Sequence, residues 1–170
     1  METTIEMYME IYAVAGSDGT GKTATALNLT AALRKAGVHA AVLDIDLQGN
    51  VISTLGMNRQ AALDNVIDGD ARAGEAVFDL KLPRDDIPER DLTTYYESFA
   101  ADHTEFRPAG EHGMSERPSN GPDTSVLPVI AGFSSRAAHI NADPDVLTDT
   151  LKSFAMAYDI LIVDTGNGLA

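Results

Sequence analysis

A run of glycines with one lysine near the N-terminus has the spacing of a phosphate-binding loop. Residues 13–29 read AVAGSDGTGKTATALNL, and the stretch from Gly16 to Thr23 fits the pattern Gly-x-x-x-x-Gly-Lys-Thr. Glycines let backbone N–H groups approach phosphate oxygens, and the following helix presents its positive N-terminal end to the same anion. In this pattern Lys22 contacts the β- and γ-phosphates, and the Thr23 hydroxyl ligates Mg²⁺. The loop therefore predicts a nucleotide phosphate site.

An aspartate near the other end of the sequence is a second candidate for this site. The segment YDILIVDTGNG, residues 158–168, is an apolar run that ends on Asp164 and continues with Gly166 and Gly168. An aspartate at the carboxyl end of a parallel strand lies at the ligand-binding edge and can hold a magnesium-bound water. The alternative is an aspartate that only caps a turn, but the upstream loop favours the metal.

The segments between these motifs indicate an α/β domain. EIYAVAG reads as a buried strand, Lys22–Ala36 as a helix capped by Gly37, and VHAAVLDID as a strand covered on both faces. Residues 61–79 read as two short helices, and SVLPVIAG as another strand, followed by a helix over 145–158. We therefore predict a mostly parallel sheet with helices on both faces, in a single domain that spans residues 1–170.

Residues 81–123 differ from the rest of the chain. The segment is polar and contains five of the seven prolines. We expect a flexible insertion here, with a short helix near 95–101 at most.

Composition limits the partners and the compartment. The net charge is −14, from 26 acidic and 12 basic residues, of which only four are lysine. Such a surface argues against binding of nucleic acid or anionic lipid, although it also resembles the halophilic composition of proteins from salt-loving archaea. The chain has no cysteine, no basic leader and no apolar run of about 18 residues. These features predict a soluble, cytoplasmic protein.

A third motif resembles a known family. VLDIDLQGNVISTLGM, residues 42–57, resembles the Asp-x-Asp-Pro-Gln-Gly-Asn segment of the ParA/MinD family of ATPases, with Leu47 in place of the usual proline. The matching positions are Asp44, Asp46, Gln48, Gly49 and Asn50. LDNVIDGDARAGEAVFD and LPVIAGF resemble the family's next segments, and DTGNG resembles its second switch. The resemblance covers most of residues 10–80 and 125–170.

The resemblance implies a P-loop NTPase that binds ATP and Mg²⁺ and acts as a dimerising switch in partitioning, division or spatial positioning. It implies a homodimer, or a heterodimer with a related ATPase, and a regulatory protein partner. Lys22 and Asp46 would be catalytic, and Thr23, Asp46 and Asp164 would serve the metal. The nucleotide would contact the loop residues Gly16, Ser17, Asp18, Gly19, Thr20, Gly21, Lys22, Thr23 and Ala24.

Two loop residues depart from the family pattern. Ser17 stands where the family has a lysine that reaches the partner subunit's phosphates, and Asp18 places an anion beside anions. Stabilisation of developing charge is a large term in phosphoryl transfer. One alternative is therefore a non-hydrolysing regulatory subunit that binds nucleotide and pairs with a full-length relative. Another is a small-molecule kinase or a dethiobiotin-synthetase-like ligase, because GSDGTGKT also resembles their loops.

Family members continue well beyond the second switch, whereas this sequence stops at Ala170. We expect a sheet that is incomplete at its C-terminus, for one of three reasons: the sequence is a truncated product, a partner completes the sheet, or the fold is marginal with an exposed edge. Base selectivity stays unassigned.

Overall fold

The fold is built on a five-stranded sheet. The computed structural model describes residues 9–46, 51, 61–81 and 121–166. The strands are β1 (Glu10–Val14), β2 (Ala40–Asp44), β3 (Val77–Lys81), β4 (Val126–Ala131) and β5 (Ile160–Asp164). Their order is β1-β5-β2-β4-β3, and every neighbouring pair is parallel except β3 and β4. This is the mostly parallel sheet that the sequence predicts.

Four helices and one 3₁₀ turn lie among the described residues. They are α1 (Lys22–Lys35), α2 (Leu63–Ile67), the 3₁₀ turn Ala73–Ala76, α3 (Arg136–Asn141) and α4 (Pro144–Phe154). The predicted end of α1 is confirmed, since Gly37 is left-handed with φ 86°. The Val38 N–H donates to the Leu33 carbonyl and the Gly37 N–H to that of Arg34, which is a Schellman cap.

Apolar clusters cover both faces of the sheet. On one face, Ala26 and Leu27 of α1 pack in a cluster with Val42 and Ile162. On the other, Phe154 of α4 lies in a cluster with neighbours such as Leu43 and Leu161. Consecutive strand residues thus enter opposite clusters, as the continuous apolar runs of β2 and β5 require.

The prediction of a second helix within residues 61–79 is wrong. Only the 3₁₀ turn forms there, and Val77 begins the antiparallel strand β3. From Phe78 onward burial alternates with the period of a strand, since Phe78 and Leu80 are buried whereas Asp79 and Lys81 are exposed. The sequence reading also missed α3, and the predicted last helix ends at Phe154 rather than at 158.

The strand β1 lies at one edge of the sheet. Within the described residues it pairs only with β5, and Ile11 and Tyr12 stay 50% and 51% exposed. The expected insertion at 81–123 lies almost entirely outside the described residues, so its flexibility stays a prediction. No helix in the described part of the chain is long and apolar enough to cross a membrane.

Candidate nucleotide site

Three strand ends meet at the same edge of the sheet. In the strand register Asp164 lies opposite Val14 of β1 on one side and opposite Asp44 of β2 on the other. The glycine loop follows β1, and Asp46 follows β2. Because the three strands run parallel, their carboxyl ends place the loop, Asp164 and Asp46 together, where ligands bind in open α/β sheets.

The loop after β1 has the backbone of an anion cradle. Gly19 and Gly21 are left-handed, with φ 70° and 80°, and Gly21 immediately precedes α1. Successive N–H groups in such conformations point toward a common centre and bind anions. A Cβ on Gly16 would lie 2.8 Å from Thr20 Oγ1, so a larger residue there would displace the Thr20 hydroxyl that bonds to the Ser17 carbonyl.

Hydrogen bonds to one carbonyl organise the loop. Lys22 Nζ donates to the Ser17 carbonyl at 3.0 Å, and Thr20 Oγ1 donates to the same oxygen at 2.8 Å. The Lys22 ammonium is therefore held over the loop. The side chains of Ser17 and Asp18 are exposed, and Ala24 is half-buried in the first turn of α1.

A short hydrogen bond joins the helix after the loop to the end of β5. Thr23 Oγ1 donates to Asp164 Oδ2 at 2.6 Å, across 141 positions of sequence. The other carboxylate oxygen, Asp164 Oδ1, is buried and accepts no hydrogen bond from the described residues. Burial raises the pKa of Asp164, the Thr23 hydrogen bond lowers it, and the nearby Asp46 carboxylate raises it.

Asp44 has a structural role that the sequence did not reveal. Its carboxylate accepts from the backbone N–H of Asp46 at 3.2 Å and from that of Val51 at 3.1 Å. These bonds hold the backbone of Asp46 and of Val51 to the end of β2. From its position in the sequence, a buried aspartate at a strand end could either bind a ligand or accept backbone hydrogen bonds. Only the structure shows that Asp44 accepts backbone hydrogen bonds.

Asp46 lies two residues beyond the end of β2. It is 6% exposed, and its carboxylate faces the backbone of Gly166 closely enough that no Cβ would fit there. The structure thus brings Asp46 near Asp164 and the loop. The other motif residues, Gln48, Gly49 and Asn50, lie outside the described residues.

The polar atoms at Thr23 and Asp164 fit a magnesium ion. In the described part of the chain no three His, Cys, Asp or Glu side chains gather into a metal site. Mg²⁺ bound with a nucleotide needs no such cluster, because phosphates and waters supply most of its ligands. A threonine hydroxyl that already donates to a carboxylate keeps a lone pair for the ion, and Asp164 Oδ1 keeps an acceptor for an ion-bound water.

The chain matches known proteins over the same elements. The family profile "CobQ/CobB/MinD/ParA nucleotide binding domain" matches residues 11–163. The chromosome partitioning protein ParA of Caulobacter vibrioides is 35% identical over 83 residues, 46% of this chain and 31% of ParA.

Solved structures give the same picture. The septum site-determining protein MinD of Pyrococcus horikoshii, complexed with Mg-ADP, is 25% identical with a TM-score of 0.55; the match covers 96% of this chain and 51% of MinD. Cobyrinic acid a,c-diamide synthase of Mycobacterium smegmatis, with an ATP analogue and magnesium, shares the fold at 17% identity and a TM-score of 0.57, covering 93% and 51%. The chain thus spans about half the length of these two structures. It belongs to the CobQ/CobB/MinD/ParA family of nucleotide-binding domains.

Proposed function

We propose that this chain binds ATP with Mg²⁺ and works as a ParA/MinD-like switch in partitioning, division or spatial positioning. The observation that carries the proposal is the Thr23 to Asp164 hydrogen bond of 2.6 Å beside a left-handed glycine loop. It joins a hydroxyl and a buried carboxylate at the point where the phosphates would lie. The MinD structure with Mg-ADP supports the same choice of ligand.

Each residue of the site has a distinct task in this proposal. The N–H groups of the Gly16–Thr23 loop hold phosphate oxygens, and Lys22 exchanges the Ser17 carbonyl for a phosphate oxygen. Thr23 and Asp164 hold the metal, which when bound neutralises charge on the phosphates. Asp46 orients the attacking water and accepts its proton.

We propose that nucleotide promotes association with a second copy or with a related ATPase. Of the loop side chains, Lys22 alone is cationic, so the cradle would gain from positive charge contributed by another chain. Gel filtration with and without Mg-ATP tests this association. An elution volume that does not change with nucleotide would contradict it.

The first experiment measures Mg-ATP binding by calorimetry and phosphate release in high KCl. Lys22→Ala removes the loop cation and should weaken binding by at least about tenfold, roughly 1.4 kcal/mol. Asp46→Ala should keep binding and lose phosphate release. Lys35→Ala is the matched control, because this lysine lies in the last turn of α1, about 20 Å from the loop.

The outcomes separate the candidate functions. Binding lost only with Lys22→Ala, together with turnover lost in Asp46→Ala, supports the switch. Binding without phosphate release in the unmodified protein supports the non-hydrolysing regulatory subunit, which Ser17 favours. Phosphoryl transfer to a nucleoside monophosphate or an organic acid supports a kinase or ligase, which Asp18 favours. No binding in any variant would exclude all three.

A further inference from the structure

We infer that Gly166 is a positioning residue for Asp46. The absence of a side chain at position 166 lets the Asp46 carboxylate sit against the end of β5. The contact itself follows from packing, whereas its effect on turnover rests on the proposed function.

The distances leave no space for a larger residue. A Cβ built on Gly166 would lie 2.5 Å from Asp46 Oδ1, 2.7 Å from Cγ and 3.2 Å from Cα. Asp46 cannot easily retreat, because it is buried and its N–H donates to Asp44 Oδ1 at 3.2 Å. Close-packed interiors tolerate such an overlap only by shifting side chains or backbone.

Backbone conformation does not explain this glycine. The described glycines with positive φ are Gly19, Gly21, Gly37, Gly69 and Gly121. Gly166 is not among them, so a left-handed backbone does not account for this glycine. Its lack of a side chain is therefore needed for the approach of Asp46.

The same short segment reaches the phosphate side of the site. Two residues before Gly166, Asp164 accepts the Thr23 hydroxyl at 2.6 Å. Between them, Thr165 donates to the Val14 carbonyl through both its N–H at 3.3 Å and its Oγ1 at 2.8 Å. Residues 164–166 thus lie between the metal-side carboxylate and Asp46, and the two hydrogen bonds of Thr165 hold this segment to the end of β1.

This arrangement predicts a separation of turnover from binding. The three atoms nearest to a Cβ at position 166 all belong to Asp46, and none belongs to the Gly16–Thr23 loop. A misplacement of about 1 Å at a catalytic group costs on the order of 100-fold in rate. We therefore expect a loss of phosphate release on that scale, with the Kd for Mg-ATP changed by less than about threefold.

A set of double variants tests the contact without any assay of activity. Gly166→Ala is made in the unmodified, Asp46→Asn and Asp46→Ala proteins, and Tm is measured for each. Asn keeps the shape of Asp, so Gly166→Ala should lower Tm by on the order of 5 °C in the unmodified and Asp46→Asn proteins. Asp46→Ala removes Oδ1 and Cγ, so there the loss should disappear or turn into a small gain.

Each result decides the inference. An equal loss of Tm in all three backgrounds overturns it, and so does a Kd weakened as much as the rate. If Gly166→Ala alone fails to fold, folding of the double variant with Asp46→Ala supports it. An unmodified protein that binds nucleotide without turnover contradicts the hydrolytic part of the proposed function instead, and the Tm comparison still decides the contact.

Discussion

At the scale of single residues, the site combines one ammonium with several carboxylates. Lys22 lies on the loop together with Asp18, and Asp44, Asp46 and Asp164 lie at the adjoining strand ends. The Asp44 carboxylate accepts hydrogen bonds from two backbone N–H groups, and Asp164 Oδ2 accepts one from the Thr23 hydroxyl. Within the described part of the chain, Asp164 Oδ1 therefore keeps its acceptor capacity for a ligand.

Asp18 should make nucleotide binding sensitive to salt. One unit charge about 6 Å from another is worth about 0.7 kcal/mol in water, or roughly threefold in affinity. Asp18→Asn should tighten Mg-ATP binding by that factor at low ionic strength. In 1 M KCl the difference should vanish, because the screening length falls to about 3 Å.

The control for this prediction is Asp123→Asn. Asp123 is also exposed, but it precedes β4 at the opposite end of the sheet. Asp123→Asn changes the net charge by the same amount as Asp18→Asn, and it should leave the affinity for Mg-ATP unchanged. Equal tightening in both variants would mean that total charge, rather than Asp18, sets the salt dependence.

When no metal is bound, the ionised Asp164 carboxylate should lower the free energy of unfolding. Burial raises its pKa in the folded state, so the folded chain holds the proton to higher pH than the unfolded chain does. This loss of stability is absent at pH values below the pKa of the unfolded chain, about 4, and is complete above the pKa of the folded chain. In EDTA, Asp164→Asn should therefore raise Tm at neutral pH, and the gain should shrink as the pH falls. A gain that is independent of pH would contradict this account.

At the scale of elements, a buried arginine fastens α1 to the sheet. Arg34 is 4% exposed, and its guanidinium donates to the carbonyls of Val126 at 2.6 Å, Asp123 at 2.6 Å and Ala40 at 3.1 Å. Burial lowers its pKa, while the Tyr158, Asp79 and Asp123 groups oppose the shift. One side chain thus joins the end of the helix after the phosphate loop to the starts of β2 and β4.

Replacing Arg34 should therefore destabilise the fold. Arg34→Met removes the donor from three carbonyls, and leaving the buried one, that of Ala40, unpaired costs about 1–3 kcal/mol, so we expect a loss of about 2 kcal/mol or more. Urea unfolding measures the change in free energy. Lys35→Met, at the exposed neighbouring position, should stay within about 0.5 kcal/mol. Similar midpoints for the two variants would show that the three carbonyl contacts contribute little.

At the scale of the whole molecule, the net charge of −14 works against the compact state. Raising KCl from 0.1 M to 1 M shortens the screening length from about 10 Å to about 3 Å. We expect Tm to rise over this range and then to level off, with NaCl giving the same curve. A Tm that is unaffected by salt would argue that the acidic groups are too dispersed to repel each other.

Much of this protein could be determined from the sequence by itself. The glycine loop, the helix after it and the buried strands β2 and β5 follow from local patterns. Backbone conformation at Gly37 and the burial period of an apolar run depend on neighbouring residues, so they can be read without the fold. Membership of the ParA/MinD type of domain also followed from three motifs in order.

Only the tertiary structure decided how the pieces meet. It placed β5 between β1 and β2, which brings Asp164 to Thr23, and it paired β3 antiparallel to β4 where a helix was expected. It also showed that Asp44 accepts from the backbone N–H groups of Asp46 and Val51, and that Asp46 packs closely against Gly166. These features depend on contacts between segments far apart in the chain, and local patterns fix the burial of each segment but not its partner.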